Sequence, residues 1–415
     1  MRVLVLHSEL GTLRGGGENF SRNLFAQFVA RGHQVRAAFT ADPFGRYPFP
    51  LPDGIEPIPI RGVWSENLGQ GMLSAVGRRI TRPTWRKRWD YLQNALAWRT
   101  FYWNNRHFHF RIMRRFEQLA RDADVVYVHC NPYLAGDVAR IKPTVLRSPG
   151  PLTSEVAPVL ERVHAVCANG DALKRIRGFL GERALELPIG VDQRRFSPGP
   201  STVRSMIGWT SRHKVMGYVG RLSHIKGVDI LADGFRLAAR EDADIRLLIA
   251  GGGEEEPNLR ATLKREIARG AVHFGGDVPH EKLPEWYRAM DVLVMPSRYE
   301  NFSNAVVEGL ACGVPFVGSD VGGNRLLSET GAGWLFEAGS APSLAAALTA
   351  AFADAGDRLS RGAKGRTHIS SRYDWAASAR RLEEILLPLL GEMPDHAQPM
   401  TVTPSPSQSR RLLAH

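Results

Sequence analysis

Residues 291–320 read DVLVMPSRYENFSNAVVEGLACGVPFVGSD, and the rest of the chain is legible around them. Two short apolar runs, Asp291–Met295 and Val314–Val317, predict buried parallel strands. Between them a polar loop, Pro296–Phe302, leads into a helical run that reaches Cys312. Gly313 suits the helix exit, and Pro315 the approach to the next strand. Open α/β sheets bind ligands where such loops leave the carboxyl ends of strands. Glu300 lies in the loop and Glu308 on the helix. Residues 301–308, if helical, rise roughly 10 Å. Two carboxylate acceptors at that spacing suit a ligand with hydroxyls at both ends and a negative middle. The middle would face the backbone N–H groups of Phe302, Ser303 and Asn304. The same carboxylates would also stabilise a helix start with no ligand at all, so the segment alone leaves both readings open.

Elsewhere the residues repeat this theme. After a strand at Val215–Val219, GRLSHIKGVDI places Arg221 and Lys226 around a short loop before a helix. Two fixed cations there suit a diphosphate leaving group, whose charge grows as its bond to carbon breaks. Near the amino terminus, Gly15, Gly16 and Gly17 separate a strand at Arg2–His7 from a helix at Glu18–Ala30. They permit a tight turn and close approach to an anion, but lack the spacing of the dinucleotide fingerprint. His129 ends the strand Asp124–Val128, where it is either structural or presented to a ligand.

SRYENFSNAVVEGLACGVPFV resembles the E-x7-E segment of the retaining GT-B glycosyltransferases of glycosyltransferase family 4. The resemblance runs over residues 2–390 and is strongest at 215–325. It implies that Glu300 meets the donor sugar and Glu308 the ribose. Ser303 stands where the family has Gly, which implies a tighter fit around the sugar. GRLSHIKG resembles the family's phosphate-binding pair, implying that Arg221 and Lys226 hold the diphosphate. Gly16 and Gly17 resemble the glycine loop that borders the donor phosphates. VVYVHCNP resembles the histidine-bearing strand end, so His129 would lie by the donor sugar, with Tyr127 and Cys130 departing from the usual neighbours. Asp277 and Val278 fall where the family holds the base. PIGVD resembles the N-G-V-D linker with Ile189 for Asn, and Gly190 and Asp192 read as structural. YDWAASARRLEEI resembles the helix that crosses back to the first domain.

The expected fold class is therefore α/β, a GT-B arrangement of two Rossmann-like domains facing across a cleft, with the C-terminal helix returning to the first. Domain one spans 1–198, a linker 199–213, the donor-binding domain 214–372, the crossover helix 373–390, and a disordered tail 391–415. The hydrophobic fraction of 43% supports two cores. A formal net charge of +12 fits nucleic acid, anionic lipid or a phosphorylated small molecule, and charge alone does not choose. Much of it is local. Residues 76–120 hold eleven Lys or Arg against two acids, interleaved within the 64–120 region with Trp64, Trp85, Trp89, Trp98, Tyr102 and Trp103. That region reads as an anionic membrane face, an acceptor pocket, or an ordinary helical layer with a basic surface. No nucleic-acid module is recognisable. Cys130, Cys167 and Cys312 have no metal spacing and are expected reduced and buried.

The resulting expectation is a metal-independent transferase with no cofactor. Its donor would be a nucleotide-diphosphate sugar, UDP- or GDP-linked, and its acceptor a glycan, a lipid-linked glycan or a small molecule. The D-x-D letters at Asp122–Asp124 and Asp242–Asp244 lead into amino ends of strands, away from the cleft. With neither a spanning helix nor a secretory leader in view, the expected location is the cytoplasm, with peripheral attachment to the inner membrane face. A phosphorylase or synthase using a small acceptor, and a non-catalytic binding protein, are the competing readings. Oligomeric state is not legible.

Overall fold

The computed structural model describes residues 1–12, 16–62, 103–150 and 152–391. At the start of the chain Val3 and Val5 pack on one face of a strand and Leu4 and Leu6 on the other. Both faces are covered, which is why the run is apolar throughout. This strand, β1 (Arg2–Leu6), is followed by β2 (Gln34–Ala41), β3 (Ile55–Arg61) and β4 (Val125–His129). Then come β5 (Thr144–Arg147), β6 (Ala165–Ala168) and the short β7 (Ala184–Glu186), which its sequence did not announce. They form one parallel sheet of order β3-β2-β1-β4-β5-β6-β7.

The second half contains β8 (Lys214–Val219), β9 (Ile245–Ala250), β10 (Val272–Phe274), β11 (Val292–Met295), β12 (Phe316–Ser319) and β13 (Gly333–Phe336). Their order is β10-β9-β8-β11-β12-β13, again parallel. Strand β12 begins two residues later than its composition suggests. The Asn304–Ala311 helix exits through Gly313 at φ 80°, with Val314 N–H bonded to the Gly309 carbonyl and Gly313 N–H to that of Leu310. Val314 is thereby committed to the helix end and cannot open the ladder.

One core cluster covers a face of each sheet and continues through Leu187, Val191, Phe196 and Trp209 and through Tyr373, Leu382 and Leu386. The two domains thus share apolar packing where the chain crosses between them. Each fully buried aliphatic side chain in it contributes about 1.5–3 kcal/mol. The expected linker 199–213 is not loose: Trp209 Nε1 donates to the Gly270 carbonyl at 2.9 Å, and Arg204 pairs with Asp291 at 2.9 Å. Gly190 is needed for close approach, since a Cβ there would lie 2.5 Å from the Trp375 ring.

Three further features depart from what local sequence suggests. The chain over 254–269 forms two helices, Glu256–Thr262 and Lys264–Ala268, that break at Leu263, while Pro257 sits in the first turn of the former, where proline is tolerated. The polar Ala355–Arg372 helix went unannounced because its apolar stripe is thin. Gly362 and Gly365 let it lie directly on Gly313 and Leu310. Cys130 is exposed rather than buried: it follows the end of β4 in a left-handed conformation, φ 56°, that turns the chain out of the sheet. Cys167 and Cys312 are buried and free.

Trp64, Trp85, Trp89, Trp98 and Tyr102 lie outside the described residues. Beyond them, residues 103–113 and Phe116–Ala120 are helical, and Phe108, Ile112, Phe116 and Leu119 pack against the first sheet. This part is an ordinary amphipathic layer, with Trp103 exposed. Among the described residues no helix is long and apolar enough to cross a membrane.

The crossover helix Trp375–Leu386 packs on the Gly16–Ala30 helix of the first domain. Glu383 anchors it, accepting from Arg31 Nε at 2.6 Å and lying 2.6 Å from His33 Nε2. The Arg31 bond holds the Glu383 carboxyl below its usual range, against the opposing effect of burial. A depressed carboxylate stabilises the fold above its unfolded value and loses that contribution as pH falls through the folded value. Glu383→Gln should therefore lower the Tm by about 2 °C at pH 7. The deficit should shrink as pH falls through the depressed Glu383 value. A deficit equally large at pH 3 would remove the ion pair from the explanation.

Candidate functional site

Both sheets change direction of winding at one place, between β1 and β4 in the first and between β8 and β11 in the second. Ligand crevices open at such switch points, off the carboxyl ends of the strands. The singled-out residues cluster there. Gly16 and Gly17 follow β1, and His129 ends β4. Arg221 and Lys226 follow β8, and Glu300 follows β11.

The Lys226 and Glu300 loops are built as one unit. Lys226 Nζ donates to Glu300 Oε2 at 2.7 Å, and Ser297 Oγ approaches the same oxygen at 3.3 Å. Glu300 is 7% exposed, so its charge has been taken out of bulk water and matched to an ammonium. Arg298 fixes the loops to each other, binding Asp229 through two bonds of 2.7 and 2.6 Å and the His224 carbonyl at 2.8 Å. Gly227, at φ 66°, leaves no room for a Cβ, which would fall 2.0 Å from the Pro296 carbonyl oxygen. The Arg221 side chain is exposed, and its carbonyl accepts from Tyr218 at 2.6 Å.

Ser303 caps the Asn304–Ala311 helix, its side chain accepting the Val306 N–H at 3.3 Å. The serine that replaces the family's glycine thus does a cap's work. The N–H groups of Phe302, Ser303 and Asn304 find no acceptor among the described residues. They remain as donors at a helix start, where partial positive charge gathers.

Glu308 is more committed than its spacing suggests. It accepts from Tyr287 OH at 2.8 Å and lies 2.9 Å from His280 Nε2. The hydrogen bond to Glu308 raises the His280 pKa, outweighing burial. Neither partner was singled out in the sequence, since both lie more than twenty residues away. Val278 packs against the core just before His280, and Asp277 is exposed with its carboxylate facing Gly252. The turn expected at the base is therefore joined to the carboxylate expected at the ribose, since His280 follows Val278 by two residues and meets Glu308.

The first domain supplies a buried imidazole pair. His129 stacks on His7 with ring centroids 3.9 Å apart, and Ser21 Oγ lies 3.4 and 3.1 Å from their Nδ1 atoms. Burial, then His7 and Arg147, push the His129 pKa well below 6.5, so the ring is neutral at pH 7. A Cβ on Gly17 would lie 3.0 Å from His129 Nε2, and one on Gly16 would lie 3.1 Å from Asn304 Nδ2 of the other domain. The glycine turn thus touches both the histidine and the helix start across the cleft. His7, Glu9 and Glu18 bring their donor atoms within 4.8 Å of one another beside it; no sequence signal marks them, because they are neighbours through β1 and its following helix.

Arg147 ends β5. It is buried over Phe20, donating to the Ser148 carbonyl and to Asn169 Oδ1. Three of the four D-x-D acids pair with surface cations at amino ends of strands: Asp124 with Arg2, Asp242 with Lys214, and Asp244 with Arg212.

Comparison with known proteins bears on this arrangement. The family described as glycosyl transferases group 1 matches residues 213–354. The chain is 32% identical over 214 residues to D-inositol 3-phosphate glycosyltransferase of Thermobispora bispora, covering 49% of this chain and 50% of that one. It is 30% identical over 292 residues to the enzyme of the same name from Frankia alni, covering 63% and 68%. The alignment with the first of these curated relatives spans about half of its length. HepE of Anabaena, solved in complex with UDP-glucose, superposes with a TM-score of 0.67 at 20% identity, covering 94% of this chain and all of that one. That likeness places the chain in the GT-B fold. Agreement over two thirds of the Frankia alni protein, together with the family match over residues 213–354, shows that the chain belongs to the glycosyl transferases group 1 family.

Proposed function

We propose that this protein is a retaining, metal-independent glycosyltransferase that moves a sugar from a nucleotide-diphosphate sugar to an acceptor hydroxyl. The observation that carries the reading is the 2.7 Å pair between Lys226 and Glu300 at the second switch point, beside a helix start with uncommitted N–H donors. An ammonium has three donors. Lys226 can hold Glu300 with one and phosphate oxygens with the others.

Arg221, Lys226 and the N–H groups of residues 302–304 stabilise the diphosphate as negative charge collects on it. Glu300 and neutral His129 orient the sugar hydroxyls. Glu308, held in place by Tyr287 and His280, takes the ribose. The bond from the anomeric carbon to the phosphate oxygen breaks, the acceptor oxygen bonds to the same face, and the acceptor's proton passes to the departing phosphate. Asp277 and Val278 border the base, and Gly16 and Gly17 the phosphates.

UDP-glucose, the ligand of HepE, is the first donor to test, and D-inositol 3-phosphate, named in the relatives, the first acceptor. Location in the cytoplasm, with peripheral contact to anionic lipid through the basic region, belongs to the same proposal. The test is thermal shift against UDP-, GDP-, ADP- and TDP-sugars, followed by assay of donor hydrolysis and transfer. One nucleotide series should raise the Tm by several degrees at millimolar concentration. No shift with any of them would defeat the reading. Transfer to inorganic phosphate instead of a hydroxyl would make the protein a phosphorylase.

A further inference from the structure

The side chain of Asn301 leaves its own domain. Its Nδ2 donates to the Pro149 carbonyl at 2.7 Å, and its Oδ1 accepts the Ala172 N–H at 2.7 Å. Both partners belong to the first domain, after β5 and in the first turn of the Gly170–Leu180 helix. Ala172 is the third residue of that helix, so its N–H is a donor that a capping side chain normally takes. Asn169, at the cap position, makes no cap bond of its own. Its Oδ1 is drawn to buried Arg147 at 3.1 Å, with Asn301 Nδ2 a further 3.4 Å contact. The helix is therefore capped from the other side of the cleft.

Glycines make this approach possible. Gly170 has φ 58°, and a Cβ there would fall 2.3 Å from the Asn301 carbonyl oxygen. Gly322 has φ 30°, and its Cβ would fall 2.0 Å from the Glu300 carbonyl oxygen, which itself accepts the Gly323 N–H at 3.1 Å. The backbone of residues 300–301 is wedged between one helix start from each domain. Its neighbouring side chain, Glu300, is the one paired with Lys226.

We propose that Asn301 is a positioning residue: by capping the Gly170–Leu180 helix across the cleft, it ties the Glu300 loop to the first domain and holds the two domains closed, so that Glu300 and His129 act on one sugar. This rests on Glu300 as the donor-sugar ligand. Nucleoside diphosphate is held mainly by Arg221 and Lys226 of the second domain, whereas turnover also needs His129 of the first. Loss of the cap should therefore lower turnover without weakening diphosphate binding, because only the closed fraction is productive.

The test uses the full chain with Asn301→Ala, Gly170→Ala and the double variant. Gly170→Ala obstructs the same contact from the first domain, its Cβ falling on the Asn301 carbonyl, and leaves the residues of the Glu300 loop unsubstituted. Turnover is measured at saturating UDP-glucose, UDP affinity by calorimetry, and compactness with UDP by small-angle scattering. Each single variant should lose turnover on the order of ten-fold, keep UDP affinity within about two-fold, and show a larger radius of gyration than the parent. The double variant should be no worse than the poorer single one, as expected for two changes that break one contact. Unchanged turnover in Asn301→Ala, or UDP affinity that falls in step with turnover, would overturn the proposal. A parent that turns over no nucleotide-sugar would defeat the transferase reading instead. The scattering comparison would then still decide the contact, with equal radii counting against it.

Discussion

Glu300→Gln should lower turnover on the order of a hundred-fold while the protein still binds nucleoside diphosphate at least as well as before. The carboxylate is buried and takes its charge balance from Lys226 at 2.7 Å. Glutamine keeps the shape and one acceptor oxygen but loses the charge. Its effect on donor-sugar hydroxyls is therefore felt mainly where their polarity rises, in the transition state, and removal of one preorganised polar partner there costs about 10²–10³ in rate. Lys226 simultaneously loses its anionic partner and presents its full charge to the diphosphate. Hence the signature is a split: kcat falls and diphosphate affinity holds or tightens. The measurement is transfer or donor hydrolysis alongside calorimetric titration with UDP and GDP. A parallel loss of both would mean that Glu300 supports the loop and does not act on the sugar.

Lys226→Ala should be worse than Glu300→Gln in both respects. It removes an ammonium from the place where the leaving group's charge collects, which predicts a turnover loss of about 10²–10³. Diphosphate affinity should fall about ten-fold or more, because a charged hydrogen bond is lost and Arg221 is left as the one cation assigned to the diphosphate. It also strands Glu300 as a buried carboxylate without its cation, a change that destabilises. The double variant Lys226→Ala with Glu300→Gln removes both members of the pair. Its Tm should recover most of what Lys226→Ala lost, while turnover stays at the lower level. If the double variant regained turnover, the ammonium would be acting only to neutralise Glu300, and the leaving-group role assigned to it would be wrong. Replacing Lys226 with Arg should restore affinity better than rate, since a guanidinium is broader and sits differently between a carboxylate and a phosphate.

The pH behaviour of the site follows from its neighbours. His280 is raised by Glu308, so its contribution to stability is present below the ordinary histidine value and fades as pH rises through the raised one. His129 is depressed by burial and is a hydrogen-bonding ring, not a cation, at neutral pH. The two histidines thus act oppositely. One helps hold the Glu308 carboxylate in place, and the other offers a neutral ring beside the glycine turn.

Local chemistry was written in the chain at short range. The unbroken apolar run Val3–Leu6, the glycine exit at Gly313, and the loop spacings that carry Lys226 and Glu300 each need only a few residues to be read. Those signals determined parallel strands joined through helices and which strand ends would carry polar groups, but neither β7 nor the Ala355–Arg372 helix. Only the folded chain decided that Glu308 would be engaged by Tyr287 and His280, that Arg147 would be buried under Phe20, and that Asn301 would cap a helix of the other domain. The reason is distance along the chain. A hydrogen bond between residues 172 and 301, or between 147 and 169, has no periodicity to announce it and exists only because the sheets and their loops meet at one orientation. The same holds for the glycines of the Ala355–Arg372 helix, whose meaning comes from the backbone and side chain they touch and not from the residues beside them.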